Sequence, residues 1–505
     1  MAGVLCALGA LWIASPGTAA AACPPIENKP AQTPHVQYEG IRHLTYCQPV
    51  TVQPGQNIIR LKGTDLFPRQ PGYITRFDPE LVYTDGTVPR VDVVHLHHAV
   101  WVVNGNPQFA AGEEKTIIQA PKGFGWRTVP SDNWLLNDML HDLVGAQQNL
   151  YIVWRIDFVP DTSPDAASIR RVRTRWMDVS GPSPREGISS SIYPVFNALR
   201  RMGQGGRYTF PDQAIGAQRD LIGRSQSWTP DHPVTLINTA GHLHPGGLAT
   251  HLRVRRGNTV KRLFRSGARY FEPAGAVSWD VSMGATPPGW RVKLRAGDRL
   301  SVAATYDVGR ADWYEVMGIM PVAVYNGVGV GGKDALSNEI PQQGVLTHGH
   351  LDENRNHGGD PMGLPDPRTL PGDSTPPNPI GIEQYAYEQG DMYAAGSLRN
   401  PPTVPTGQSL IFRNLDDPLS GPSPNVFHTI TACKAPCNRS PGIAYPIADG
   451  PVSFDSGQLG FNSSFNAPAA DRATWSTPRN LDPGTYAYFC RVHPFMRGSF
   501  RVVNG

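Results

Sequence analysis

The sequence predicts an all-β protein: two jelly-roll-like β-sandwiches, a linker and a carboxyl-terminal Greek-key sandwich. Short runs such as NIIRLKG, VDVVHLHHAVWVVNG and NLYIVWRIDFVP alternate apolar and polar residues with the period of a half-buried strand. Glycine (53) and proline (49) interrupt the chain often, which favours short strands joined by turns over long helices. Sustained helical periodicity is hard to find.

At 505 residues the chain is too long for one core. Residues 1–22 form an apolar run ending in small residues, read as a secretory signal peptide, since the run falls short of the roughly 20 residues a membrane span needs. The expected location is therefore secreted or periplasmic. Residues 23–185 and 186–335 carry the two upstream sandwiches. Residues 336–400, with PMGLPDPRTLPGDSTPPNPIG at their centre, read as a His-containing Pro/Gly-rich linker, and residues 401–505 as the last sandwich. A net charge of +3 offers neither a nucleic-acid footprint nor a polybasic membrane patch. No later segment is apolar enough to span a bilayer.

Export makes the cysteines informative. Loss of Cys6 with the signal leaves Cys23, Cys47, Cys433, Cys437 and Cys490. Cys433 and Cys437 are spaced to pair across a tight loop, and Cys23 and Cys47 to tie down the mature amino terminus. Cys490 is left over, in TYAYFCRVHPFMRGSFRVV, with His493 and Met496 close behind it. A mononuclear electron-transfer copper site needs two imidazoles and a thiolate in a near-trigonal set, with a weak axial thioether. His428, in NVFHTITAC, supplies the second imidazole. Zinc is the poorer match, because a thioether is not a zinc ligand.

The stretch CRVHPFM resembles the ligand loop of amicyanin, and FHTIT resembles the first-histidine strand of the cupredoxin family. The likeness covers about residues 400 to 505. It implies a type 1 (blue) copper bound by His428, Cys490, His493 and Met496, which passes electrons to or from a redox partner protein or small-molecule reductant. Pro494 and Phe495 would shield one edge and leave the ring of His493 as the electron port.

Upstream, histidines cluster at His95, His97 and His98, at His242 and His244, and at His348, His350 and His357. Residues two apart on a strand share a face, so His242 and His244 are placed to meet one ion. His95 and His97 share a face likewise, with His98 opposite unless a bulge turns it. An HH strand in one sandwich and an H-x-H strand with a later Met in the next resemble the peptidylglycine- and dopamine β-hydroxylating copper monooxygenases. MLHDL, VWRIDFVP and GHLHPGG resemble the stress-upregulated nodulin-like proteins. The monooxygenase likeness implies an oxygen-binding copper at His242, His244 and Met317, with Met320 competing for the thioether role, and a relay copper beginning with His97 and His98. The strand NLYIVWRIDFVP lacks the histidine the relay requires, leaving His95, His141, His348 or His350 to substitute.

Three functions compete: a copper-dependent oxidoreductase with its own electron-transfer domain, a non-enzymatic electron-transfer or copper-handling protein, and a structural pair of sandwiches. The missing relay histidine favours the second over the first, and three histidine clusters disfavour the third. One type 1 copper and one or two further copper ions are expected.

Overall fold

The computed structural model describes residues 23–26, 33–53, 59–91, 93–142, 146–180, 195–216, 219, 227–271, 276, 279–309, 311–349, 365–373, 378–392, 399–416, 428–434, 452–457, 459–460, 473–490 and 496–505. Among them the regular structure is almost all strand, as expected, with a 3-10 turn at Pro164–Ser168 that Ser163 caps by accepting the Asp165 amide. No helix among the described residues is long and apolar enough to cross a membrane. Cys23 and Cys47 form a disulfide.

The largest sheet has 11 strands, drawn from both sides of residue 185. Its path passes from the edge strand Arg42–Val52 through Gln148–Pro160, Gly72–Tyr83 and Phe124–Thr128 to Arg170–Asp178, then into Gly318–Tyr325 and Val234–Thr239. The junction is Arg170–Asp178, parallel to Phe124–Thr128 on one side and antiparallel to Gly318–Tyr325 on the other. A strand's own alternation reveals its faces but not its distant edge partners, so this continuity is invisible in the sequence.

A four-stranded sheet containing Val94–Val103 and Trp134–Asp142 covers one half of this wall, enclosing Phe77, Trp101, Phe109 and Trp134; Phe77 stacks on Phe109 at 4.2 Å between centroids. A seven-stranded sheet built on Gly247–Arg256, Thr259–Tyr270 and Arg299–Asp307 covers the other half, around Phe196, Phe210, Phe264 and Tyr306.

The carboxyl-terminal sandwich packs a four-stranded sheet on a five-stranded one that includes Gly484–Phe489 and Arg497–Val503. Part of the expected linker belongs to it. Ile380–Glu383 lies parallel to Ile411–Asn414, pairs with Ala386–Tyr387, and buries Ile380, Ile382 and Tyr387 completely. Burying each such side chain contributes roughly 1.5–3 kcal/mol, so a few apolar residues suffice to dock a segment whose composition is dominated by proline and glycine.

Candidate metal centres

In the carboxyl-terminal sandwich, His428, Cys490 and Met496 come together and are fully buried. The Cys490 amide donates to the Met496 carbonyl at 3.2 Å, and the Thr429 amide donates to the Cys490 sulfur at 3.4 Å. Nε2 of His428 meets Oδ2 of Asp416 at 2.9 Å, which turns Nδ1 toward the Cys490 sulfur at 3.8 Å. Nitrogen and sulfur donors about 2.0 and 2.3 Å from one ion in a trigonal plane would stand about 3.7 Å apart. The spacing therefore fits a metal ion between them, the imidazole, thiol and thioether donors suit copper, and Asp416 orients the imidazole from behind. Burial opposes a charge on His428, but hydrogen bonds to Asp416 and Cys490 prevail and lift its pKa to about 9. His493 and Cys437 lie outside the described residues, as does the side chain of Cys433, whose backbone lies on Thr431–Lys434.

Asp416 has a second task. The hairpin between Ile380–Glu383 and Ala386–Tyr387 turns through Gln384 and Tyr385, both left-handed at φ 50° and 60°, a conformation costly for residues other than glycine. The Asp416 carboxylate accepts both of their amides, at 2.6 and 3.2 Å. The turn sets Tyr385 edge-on to His428, 6.0 Å between ring centroids. Burial, followed by the charges of Asp416, Asp142 and Cys490, pushes the Tyr385 phenol up to about 12. Asp142 directly follows His141 in Trp134–Asp142.

The upstream histidines converge. A bulge in Val94–Val103 at His97 breaks the register between Leu96 and His98, which lets adjacent imidazoles meet: Nδ1 of His97 lies 3.0 Å from Nδ1 of His98. His95 sits directly opposite His141, with Nε2 to Nδ1 at 3.1 Å. His97 packs against His244 and His141 at 4.4 and 4.6 Å, and Trp279 lies against His95, His97 and His244. Burial, followed by the neighbouring imidazoles, holds His97 well below its ordinary pKa. Burial takes His98 down to about 4 against the opposing hydrogen bond to Asn137. Both are neutral near pH 7 and offer lone pairs. His98 donates Nε2–H to Oδ1 of Asn137 at 2.8 Å, leaving Nδ1 as its acceptor.

His242 lies on the short strand His242–Leu243, opposite Ile319. Its Nδ1 donates to Glu114, 3.1 Å from each oxygen, and its buried Nε2 has no hydrogen-bond partner among the described residues. A carboxylate behind one ring nitrogen with the other left open is the arrangement a metal-binding imidazole requires. Gly112 permits the approach: a Cβ there would come within 2.5 Å of the His242 ring and 2.6 Å of Glu114. Met317 is buried between Trp313–Val316 and Gly318–Tyr325, the second of which pairs with His242 through Ile319, whereas Met320 is wholly buried in the second core, opposite Met177. His348 turns to Glu80 at 3.2 Å, within an ion network that includes Lys115 and Glu113; His350 and His357 lie outside the described residues. His242, Met317, His98 and Glu114 border a cavity whose other walls are largely apolar, among them Phe109, Trp126 and Trp176.

Glu114, Asn137, Asp416 and Tyr385 carry no signal in the sequence. The acidic pair in AAGEEK and the NLDD after LIFR are commonplace surface patterns, and nothing local marks them as supports for a distant histidine.

No family model matches the chain, and no curated protein matches it. Among solved structures, an oxidised amicyanin variant is 17% identical, covering 25% of this chain and 81% of its own, with a TM-score of 0.14. The copper-containing nitrite reductase of Thermus scotoductus SA-01 is 14% identical over 54% of this chain and 55% of its own, with a TM-score of 0.16. Infectious bursal disease virus, Gx strain, gives 12% identity over 60% of this chain and 75% of its own, also at 0.16. Likenesses this weak assign the chain neither a family nor a function.

Proposed function

We propose that the chain is an exported copper redox protein with two kinds of centre. His428, Cys490, His493 and Met496 hold a type 1 copper that passes electrons to or from a redox partner protein or small-molecule reductant. His242, with His244 and Met317, holds a second copper beside the cavity, backed by the cluster of His95, His97, His98 and His141. The observation that carries this reading is the Glu114-held His242, with its open Nε2 buried beside the cavity.

Copper at each centre would supply one-electron chemistry. The protein's own residues do the rest. Asp416 and Glu114 fix the tautomers and ring directions of His428 and His242. Burial keeps His97 and His98 unprotonated. The apolar walls exclude water from the second centre and suit a small, mostly apolar substrate. Tyr385 packs edge-on against His428. The Cys23–Cys47 disulfide supports an oxidising, extracytoplasmic location.

Crowding favours a second reading, copper handling without turnover. His95, His97, His98, His141, His242 and His244 offer more imidazoles than one ion uses. A His242→Ala/His244→Ala double variant separates the readings by copper analysis, visible spectrum and reductant-driven oxygen consumption. One copper equivalent should be lost while the blue colour stays. A parallel loss of oxygen consumption supports the redox enzyme, and wild-type protein without oxygen consumption supports copper handling. Unchanged copper content overturns both.

A further inference from the structure

We propose that His35, His43 and Asp157 form a separate divalent-cation site on the outer edge of the large sheet, of the zinc(II) class. The site is independent of the copper reading. His43, on Arg42–Val52, stands directly opposite Asp157, on Gln148–Pro160. Its Nδ1 lies 2.7 Å from Oδ1 of Asp157, and Nδ1 of His35 lies 3.0 and 2.8 Å from the two carboxylate oxygens. One ligand atom from each residue falls within 4.8 Å of the others, the single such trio of histidine, cysteine or carboxylate groups among the described residues. Both rings thus present the same nitrogen inward, and they stand edge-to-face at 5.0 Å.

Charge gives the second line of argument. Asp157 is only 1% exposed, and a buried carboxylate needs a positive partner. Among the described residues no arginine or lysine pairs with it. Arg76, its cross-strand neighbour, and Arg155, two positions along its own strand, both turn to Asp78 instead. Among the described residues the two imidazoles are the side chains that pair with the carboxylate, and they do so from the solvent side, 46% and 58% exposed. Two imidazole nitrogens and a carboxylate oxygen, open outward to water, are the donor set of a three-ligand zinc site with an exchangeable position.

The third line is preorganisation. His35 precedes any regular strand, yet its segment is fixed on both sides. The Arg76 guanidinium donates to the Thr33 carbonyl at 2.6 Å, and Tyr38 is buried against Val159, Ala166 and Ile169. The Glu39 amide donates to Asp165 at 2.7 Å, and the Ser163 hydroxyl to the Glu39 carbonyl at 2.5 Å. The ion would clamp this amino-terminal segment to the sheet edge.

The test uses the full chain, stripped with chelator and reloaded with zinc(II), comparing wild type with His35→Gln/His43→Gln and with Asp157→Asn. Elemental analysis should give one zinc equivalent fewer per chain in both variants. Zinc should slow hydrogen exchange at residues 33–41 in the wild type and not in the variants. The exposed double-histidine variant keeps the test decisive should Asp157→Asn fold poorly. Equal zinc content in wild type and the double variant overturns the proposal, as does zinc-independent exchange at residues 33–41.

Discussion

The two histidine centres are built by opposite routes. At the carboxyl-terminal site, two of the described donors, Cys490 and Met496, are six residues apart in the sequence and joined by a backbone hydrogen bond, and His428 comes from elsewhere. Upstream, the imidazoles arrive from Val94–Val103, Trp134–Asp142 and the segment beginning at His242, elements scattered over about 150 residues and joined by sheet topology. Both place a carboxylate behind a histidine, but with reversed polarity. Asp416 holds Nε2 of His428 and turns Nδ1 toward Cys490, whereas Glu114 holds Nδ1 of His242 and leaves Nε2 open among the described residues. A site set by a short loop survives changes to its surroundings that a site set by topology does not, and the two should fail in different ways.

The sharpest break is Cys490→Ser, which should abolish the intense visible absorption entirely while leaving upstream copper in place, read by spectrum and copper count together. Retained colour would remove the type 1 assignment. Next come the two carboxylates. Asp416→Asn should weaken copper at the carboxyl-terminal site, and Glu114→Gln at the upstream one, each by roughly 10–100-fold in affinity and each without effect on the other site, measured by chelator competition. Cross-effects would show that the centres share one support. Gly112→Ala should cost about 1–3 kcal/mol in thermal or denaturant unfolding by pressing on His242 and Glu114, and should lower only upstream copper.

The smallest effect concerns His251, outside both centres. Burial, followed by Arg253, Arg262 and Arg265, depresses its pKa to about 4 from 6.5. Between those values the unfolded chain binds the proton and the folded chain does not, so stability falls as pH drops from 6.5 toward 4. His251→Gln should flatten that part of the denaturation profile measured on metal-free protein, and an unaltered slope would count against the assigned burial.

These contrasts also explain what the sequence disclosed. The spacing of Cys490, His493 and Met496 is local chemistry written in consecutive residues, and the β pattern follows from period-two alternation. The convergence of His97 on His244 depends on a bulge that no residue type announces in VHLHHAV, and on Arg170–Asp178 joining two halves that composition alone separates. Glu114 acts 128 positions from His242 in the chain, a distance over which spacing carries no signal. Within the expected linker, Ile380 and Ile382 are too few to register as a strand pattern in the sequence, yet both are buried in a paired strand.

The strand Arg170–Asp178 has a mechanical consequence. Its first three residues, Arg170 to Val172, pair with Phe124–Thr128, and Val172 to Asp178 pair with Gly318–Tyr325, so one strand belongs to both halves. Two modules joined by a flexible tether could swing apart freely, but halves that share a strand can separate only by breaking its pairing to one of them. On the proposed reading, a shared strand ties the spacing between the imidazoles of the two halves to the pairing of Arg170–Asp178 with both neighbours.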